Sequence, residues 1–267
     1  MRVISLNVNG IKRAAERGFF EWMAEQDADV VCVQDLQAKE YQLPDEMVNP
    51  GGYTGYFFDA DEDGFSGVAV YCKEPPKAIM FGLGNPEFDI EGRFIQADFE
   101  GVSIASVLFP SGVAGTPLQD HKFQFMKAFM NHLKKTLRKR RDFLFCGTTY
   151  VAHKTHDVFD WKSQQGKSGF MDEERAWFDH ILGPMGYVDC FREANFDQDE
   201  FTWWPDEQGA WERNEGWRID YMLGTPGMKR SADMAKIYKN KRFSDHAPVI
   251  VDFDYELGES EEEFNFF

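Results

Sequence analysis

The sequence predicts an α/β protein built as a four-layer sandwich: two mixed sheets lie face to face and helices cover their outer sides. Strand-like runs recur from one end to the other, helical segments fall between some of them, and the alternation repeats in both halves. A chain of 267 residues suits one layered domain, and 43% apolar content with 26 Phe supplies a large core. No low-complexity linker interrupts the pattern. A single domain is therefore expected over 1–255, followed by an acidic, flexible tail over 256–267.

Strands are expected at 3–7, 30–34, 67–72, 94–99, 104–109, 143–147, 219–223 and 249–253, each short and rich in β-branched or aromatic residues. A helix over 14–26 would place Phe19, Trp22 and Met23 on one side. Thr116-Pro117-Leu118-Gln119 has the form of a capping box with Pro in the first turn, and Phe125, Phe129 and Leu133 follow at fourfold spacing. Asp172-Glu173-Glu174 opens a third helix, with acids at the positive end of its dipole and Trp177, Phe178 and Ile181 inward.

The net charge is −17. A protein that grips nucleic acid unaided usually offers a basic face, because neutralised phosphates supply most of the affinity. This chain as a whole would be repelled, so any such contact falls to a local patch, a divalent metal or a partner. No stretch approaches the ~20 apolar residues of a membrane span. The chain opens on a strand-like run without a leader pattern, and a cytoplasmic location is expected. Cys32, Cys72, Cys146 and Cys190 lie far apart in mostly apolar runs, which fits buried free thiols and not zinc spacing.

The chemistry-bearing residues stand at strand ends. Asn7 closes the first strand, Asp35 follows the second, Asp220 enters the strand at 219–223, and Asp245-His246 precedes the last one. An Asp–His pair can orient an imidazole for acid–base work, and polar groups at the ends of several strands can converge on one crevice. The run Asp59-Ala60-Asp61-Glu62-Asp63-Gly64 mimics the start of a calcium loop, but Val70 stands where the closing Glu belongs and a strand follows.

Nearly the whole chain resembles the exonuclease III/endonuclease–exonuclease–phosphatase family, whose fold is the exonuclease III/DNase I-like sandwich. The resemblance rests on Ser5-Leu6-Asn7-Val8-Asn9-Gly10, Asp29-Val30-Val31-Cys32-Val33-Gln34-Asp35, Phe109-Pro110-Ser111-Gly112, Glu173-Glu174-Arg175, Phe201-Thr202-Trp203, Arg218-Ile219-Asp220 and Ser244-Asp245-His246-Ala247-Pro248. It implies a mechanism for active members. A Glu after the second strand holds Mg²⁺, the Asp of a Gly-Asp-x-Asn motif aligns or activates water, and its Asn, a Tyr before Phe-Pro and the His steady the phosphate. This chain keeps Asn7, Asp220, Asp245 and His246. It carries Asp35 at the metal position, Leu108 for the Tyr, and Thr148 and Tyr150 for the Asp and Asn.

These departures, and the segments 146–153, 108–112, 122–126, 138–141, 203–206 and 216–221, resemble the catabolite repression control family, which has the nuclease fold without the nuclease. That narrower resemblance implies a catalytically inactive translational co-repressor. It would act with the Sm-like RNA chaperone Hfq on A-rich mRNA in a ternary complex and bind nucleic acid weakly by itself. No cofactor and no metal are then expected, Asp35 being the only metal candidate, and Tyr150 is expected to fill substrate space. The alternative is a divergent, Mg²⁺-dependent exodeoxyribonuclease III or apurinic-site endonuclease of DNA repair.

The candidate RNA or partner contacts are Arg138, Lys139, Arg140 and Arg141, which end a run of six cations in eight residues that also includes Lys134 and Lys135, together with Lys229 and Arg230. Lys239, Lys241 and Arg242 form a third basic cluster. Trp203-Trp204 could stack on bases; core packing is at least an equal reading for Trp203, and Trp204 is the freer of the two for a contact.

Overall fold

The computed structural model describes residues 1–257, so the expected tail lies outside the described residues from 258 onward. The chain first lays down β1 (Arg2–Asn7), α1 (Ile11–Glu16), α2 (Phe19–Glu25), β2 (Val30–Gln34), α3 (Asp45–Val48), β3 (Thr54–Phe58) and β4 (Val68–Cys72). Next come β5 (Ala78–Phe81), α4 (Pro86–Asp89), β6 (Phe94–Asp98), β7 (Val102–Leu108), α5 (Pro117–Thr136) and β8 (Asp142–Thr148). The last part adds α6 (Trp161–Gln164), α7 (Asp172–Leu182), β9 (Val188–Asp189), α8 (Cys190–Ala194), β10 (Asp220–Gly224), β11 (Ala232–Ile237) and β12 (Val249–Phe253).

These strands form two six-stranded sheets, ordered β11-β12-β1-β2-β4-β3 and β5-β6-β7-β8-β10-β9. Each sheet has one parallel pair, β1 with β2 and β7 with β8; the other neighbours run antiparallel. The inner faces meet through Val3, Val30, Val70, Ile104, Leu144, Met222 and Val251. Behind the first sheet, α1 and α2 contribute Ile11, Phe19, Trp22 and Met23. Behind the second, α5 and α7 contribute Phe125, Phe129, Leu133, Phe178 and Ile181. The result is the expected four-layer sandwich. All four cysteines are free and buried.

Several local expectations needed correction. The helix expected over 14–26 is two helices, broken at Gly18, which has φ 78 and ends the first stretch in a left-handed turn. Thr116 does not cap α5 with its side chain; its hydroxyl donates to the carbonyl of Val113. The strands β3, β5, β9 and β11 were not foreseen. β5 shows one half-buried and three exposed residues, and β11 carries charges at Asp233 and Lys236, so neither has the apolar signature of an inner strand.

This topology decides where a site can form. The parallel pairs bring the C-terminal ends of β1 and β2, and of β7 and β8, to one edge of the sandwich. Because β12 runs antiparallel to β1 and β10 antiparallel to β8, their first residues come to that same edge, with Asp220 opposite Thr148. Gly147 permits the close approach of β7 and β8 beside it: its φ is 150, and a Cβ there would lie 1.9 Å from the Val107 carbonyl oxygen. Gly147→Ala is expected to lower stability by about 3 kcal/mol in urea unfolding, since overpacking and an unfavourable backbone angle act together.

Candidate active site

Asp220 and His246 form the floor of the site. Both are buried, and the Asp220 Oδ2 lies 2.8 Å from the imidazole Nδ1. The other carboxylate oxygen accepts from the Thr148 hydroxyl, whose oxygen in turn accepts from Asn7 Nδ2 at 3.1 Å. Three strands and the loop leading into β12 thus meet through one chain of polar contacts, Asn7–Thr148–Asp220–His246. Burial acts to lower the imidazole pKa, but the Asp220 carboxylate, with Asp245 and Asp35 beyond it, outweighs burial and raises it.

Backbone braces hold this pair. The Thr202 hydroxyl accepts from the amides of Ile219 and Asp220, and the amide of His246 donates to the Ser244 hydroxyl, which donates to the Asn7 carbonyl at 2.6 Å. Just before Asp220, the buried Arg218 donates through Nε to Asp157 at 2.8 Å and lies over the Tyr221 ring at 4.4 Å. Burial alone would raise the Asp157 carboxyl, but the Arg218 guanidinium holds it far below the usual carboxylate range.

A cavity of 380 Å³ opens above the pair, with Asn7, Asp35, Tyr150, Trp203, Asp245 and His246 among its walls. Asp245 accepts from Asn9 Nδ2 at 3.0 Å on one oxygen and from the Trp203 indole at 2.9 Å on the other. Asp35 accepts from Gln37 Nε2 at 3.0 Å on Oδ2, while its Oδ1 has no donor among the described residues. Burial raises the Asp35 carboxyl pKa despite Gln37 and His246. Asn9, Asp35 and Tyr150 all have positive φ, at 43, 58 and 52. Such angles cost roughly 1–3 kcal/mol each and cluster at functional sites.

Tyr150 enters from the end of β8 as the sequence suggested, yet it lines the cavity without closing it. Its phenol stays protonated: burial and the carboxylates of Asp35, Asp220 and Asp245 push its pKa up against a contact with Asn7. The carbonyl of Tyr150 accepts from Lys122 Nζ at 2.8 Å, and Lys122 is ion-paired at 2.6 Å with Glu174, both fully buried. Glu174 also accepts from the amides of Gly169 and Met171, so one buried pair fixes two cavity walls. Glu174 thus does more than face the α7 dipole. Leu108 is buried and lines a smaller 200 Å³ recess with Asp35, Arg93 and Tyr150.

The two tryptophans reverse their expected order of freedom for a contact. Trp203 is half-buried and faces the cavity, whereas Trp204 is 1% exposed, packs on Trp211 at 4.2 Å and donates to Asn214. Successive side chains of an extended segment point to opposite sides, and the bridges from Trp203 to Trp217 and His246 turn Trp203 outward.

The structure does not bring the expected basic contacts to the cavity. Arg138, Lys139, Arg140 and Arg141 follow α5 and precede β8, at the opposite end of β8 from Thr148, and a strand of this length spans roughly 20 Å. Arg141 is tied down by the carbonyls of Phe99 and Val102. Lys229 and Arg230 belong to a turn that docks against the same end of β8, where the Thr225 hydroxyl meets Asp142. Among the described residues, cations beside the cavity include Arg93 in the smaller recess and Arg13, Arg17 and Arg242, which line a 300 Å³ recess shared with Asn9, Asp206 and Asp245. Arg242 belonged to a recognised cluster; Arg13 and Arg17 sit in a helical segment whose spacing gave no hint of them.

The chain matches the model of the endonuclease/exonuclease/phosphatase family over residues 4–246. It belongs to that family. It is 34% identical over 251 residues to an exodeoxyribonuclease of Bacillus subtilis, covering 93% of this chain and 98% of that protein. It is 31% identical to a DNA-(apurinic or apyrimidinic site) endonuclease of Dictyostelium discoideum, covering 95% of this chain and 71% of that one. A solved AP endonuclease from Archaeoglobus fulgidus superposes with a TM-score of 0.87 at 26% identity, covering 96% of this chain and all of that one.

These findings correct the expectation of a catalytically inactive co-repressor acting with Hfq on A-rich mRNA. The similar proteins are named as nucleases, and the comparisons carry the family without the narrower likeness to the catabolite repression control proteins. The inference from missing groups gave too little weight to what remains: the Asp220–His246 pair is intact, and the cavity above it is open. On location, no helix of the described residues is long and apolar enough to cross a membrane.

The raised imidazole pKa has a consequence for stability. A group whose folded pKa exceeds its unfolded one stabilises fully below the unfolded value, near 6.5 here, and loses that contribution as the pH rises through the folded value. Asp220→Asn is expected to destabilise by about 3 kcal/mol. Urea unfolding is expected to show the gap to wild type greatest just below pH 6.5 and narrowing above it.

Proposed function

We propose that the chain hydrolyses DNA phosphodiester bonds, as an exodeoxyribonuclease or apurinic-site endonuclease of the kind its relatives' names describe. The observation that carries this is the buried Asp220–His246 pair beneath an open, acid-rimmed cavity. With Nδ1 held by Asp220, the imidazole keeps Nε2 for the substrate. In its protonated form it donates to a phosphate oxygen and stabilises the negative charge that grows during attack. Asn7 and the protonated phenol of Tyr150 are further donors at that wall. Arg13, Arg17 and Arg242 offer positive charge to a flanking phosphate in a chain that is acidic overall.

Among the described residues, no three His, Cys, Asp or Glu side chains gather as a preformed metal cage. The donor set nevertheless fits Mg²⁺, which is commonly bound by one or two carboxylates together with substrate phosphate and water. Asp35 is a desolvated carboxylate with one oxygen lacking a donor, which suits that role. Mg²⁺ bound there would polarise the phosphoryl oxygen. Thr148 supplies no carboxylate to ready the water, so turnover is slow beside that of a member with Asp at this position.

Cleavage of a duplex bearing one abasic site, followed in Mg²⁺, tests this. His246→Ala is expected to lower kcat by about 10²–10³, and the pair Thr148→Asp with Tyr150→Asn to raise it by about 10². Absence of cleavage by the wild type and by the restored variant would rule the activity out. The metal has its own readout. Mg²⁺ is expected to raise the melting temperature of the wild type and leave that of Asp35→Asn unchanged.

A further inference from the structure

The described chain ends beside the basic run. Tyr255 packs near Gly101, where its hydroxyl lies 3.0 Å from the position of a Cβ, and its phenol feels the charges of Asp142 and Arg141. Arg141 bonds to the carbonyls that flank this same turn. Tyr255 thus places the last part of the described chain on the side of the fold where α5 ends and β8 begins, ahead of residues 258–267. They carry Glu259, Glu261, Glu262 and Glu263, then Phe264, Phe266 and Phe267.

The surface they meet has the opposite charge and a matching apolar strip. Lys134, Lys135, Arg138, Lys139 and Arg140 are exposed, and none has an ion-pair partner among the described residues. Up the helix from them, a 360 Å³ groove runs between α5 and α7. Phe123, Met126, Met130 and Trp177 form its apolar lining, with Lys127 and Lys134 at its rim and Glu173 its one acid. The Trp177 indole donates to the Met126 carbonyl at 3.1 Å, which fixes the wall between the two helices.

We infer that this groove is the docking site of the chain's own segment 258–267, with the glutamates on the basic run and the phenylalanines on Met126, Met130 and Trp177. The lengths agree. Ten extended residues reach at most about 35 Å. The helix from Lys134 back to Phe123 is only about 16 Å long. The order agrees as well, because the acids precede the aromatics just as the cations lie nearer the tether than the groove does. Opposite charges steer the segment, and burial of aromatic rings holds it. The basic run then serves the chain's own acids and not an outside polyanion.

Ser260→Cys in the full chain provides one reactive thiol, because the four native cysteines are buried. A nitroxide placed there, in a chain with isotope-labelled methionine methyls, is expected to erase the Met126 and Met130 signals at low salt. Met23, in the layer behind the other sheet, keeps its intensity. Replacing Phe264 and Phe266 by Ala, or Lys134 and Arg138 by Glu, restores the two signals. Undiminished Met126 and Met130 signals in the labelled chain overturn the inference. Loss seen only when nitroxide-bearing chain is mixed with separately isotope-labelled chain also overturns it, since the groove then holds the segment of a second copy.

Discussion

The buried pair of Asp220 and His246 is the interaction on which the rest of this molecule depends. Two ionisable groups without solvent are costly, and they persist only where their remaining lone pairs and protons are satisfied. Thr148 takes one carboxylate oxygen, His246 takes the other, and the amides on either side of the pair are tied to Thr202 and Ser244. Removing His246 would leave the Asp220 charge in the interior without its ionic partner, and removing Thr148, Thr202 or Ser244 would leave a buried carboxylate oxygen or amide without its hydrogen bond. The sheet order follows the same need, since only strands running antiparallel to β8 and β1 deliver Asp220 and His246 to the edge where Asn7 and Thr148 end.

Charge is distributed in two separate regions of the second sheet. At one end of β8, the carboxylates of Asp35 and Asp245 line a single cavity above the buried Asp220, balanced by His246 and by the three arginines of the adjoining recess. At the other end lie the cations that follow α5, with no described acid to pair them. A net charge of −17 conceals this layout, because a sum over the chain says nothing about which groups share a surface. The buried Lys122–Glu174 pair links the α5–α7 layer to the cavity by holding the carbonyl of Tyr150, so the helix layer takes part in shaping the site.

Much of the site was legible residue by residue. Asn7, Asp35, Asp220 and His246 each stand where an apolar run begins or ends, and polar residues at strand ends are conspicuous in a string of letters. Gln37 and Thr202 were not conspicuous. Their importance comes from hydrogen bonds to Asp35 and to the Asp220 amide, and no pattern of neighbours in sequence encodes those. Trp203 and Trp204 were ranked the wrong way round for a related reason: adjacent residues of one type differ only in which side of the backbone they leave. The inference from lost groups failed differently. It judged Thr148 by the acid it lacks, whereas in the fold its hydroxyl completes the shell of Asp220.

The sequence by itself determined the layered α/β architecture, because alternating strand and helix periods specify which faces must be buried, and it determined the family through motifs in fixed order. Tertiary structure alone decided that Arg138 and its neighbours lie far from the cavity while Arg13 and Arg17 lie beside it, and that a tyrosine at the end of β8 leaves the cavity open. Those outcomes depend on distances between residues remote along the chain. Such distances are set by strand direction and close packing, and neither is a property of a local stretch of sequence.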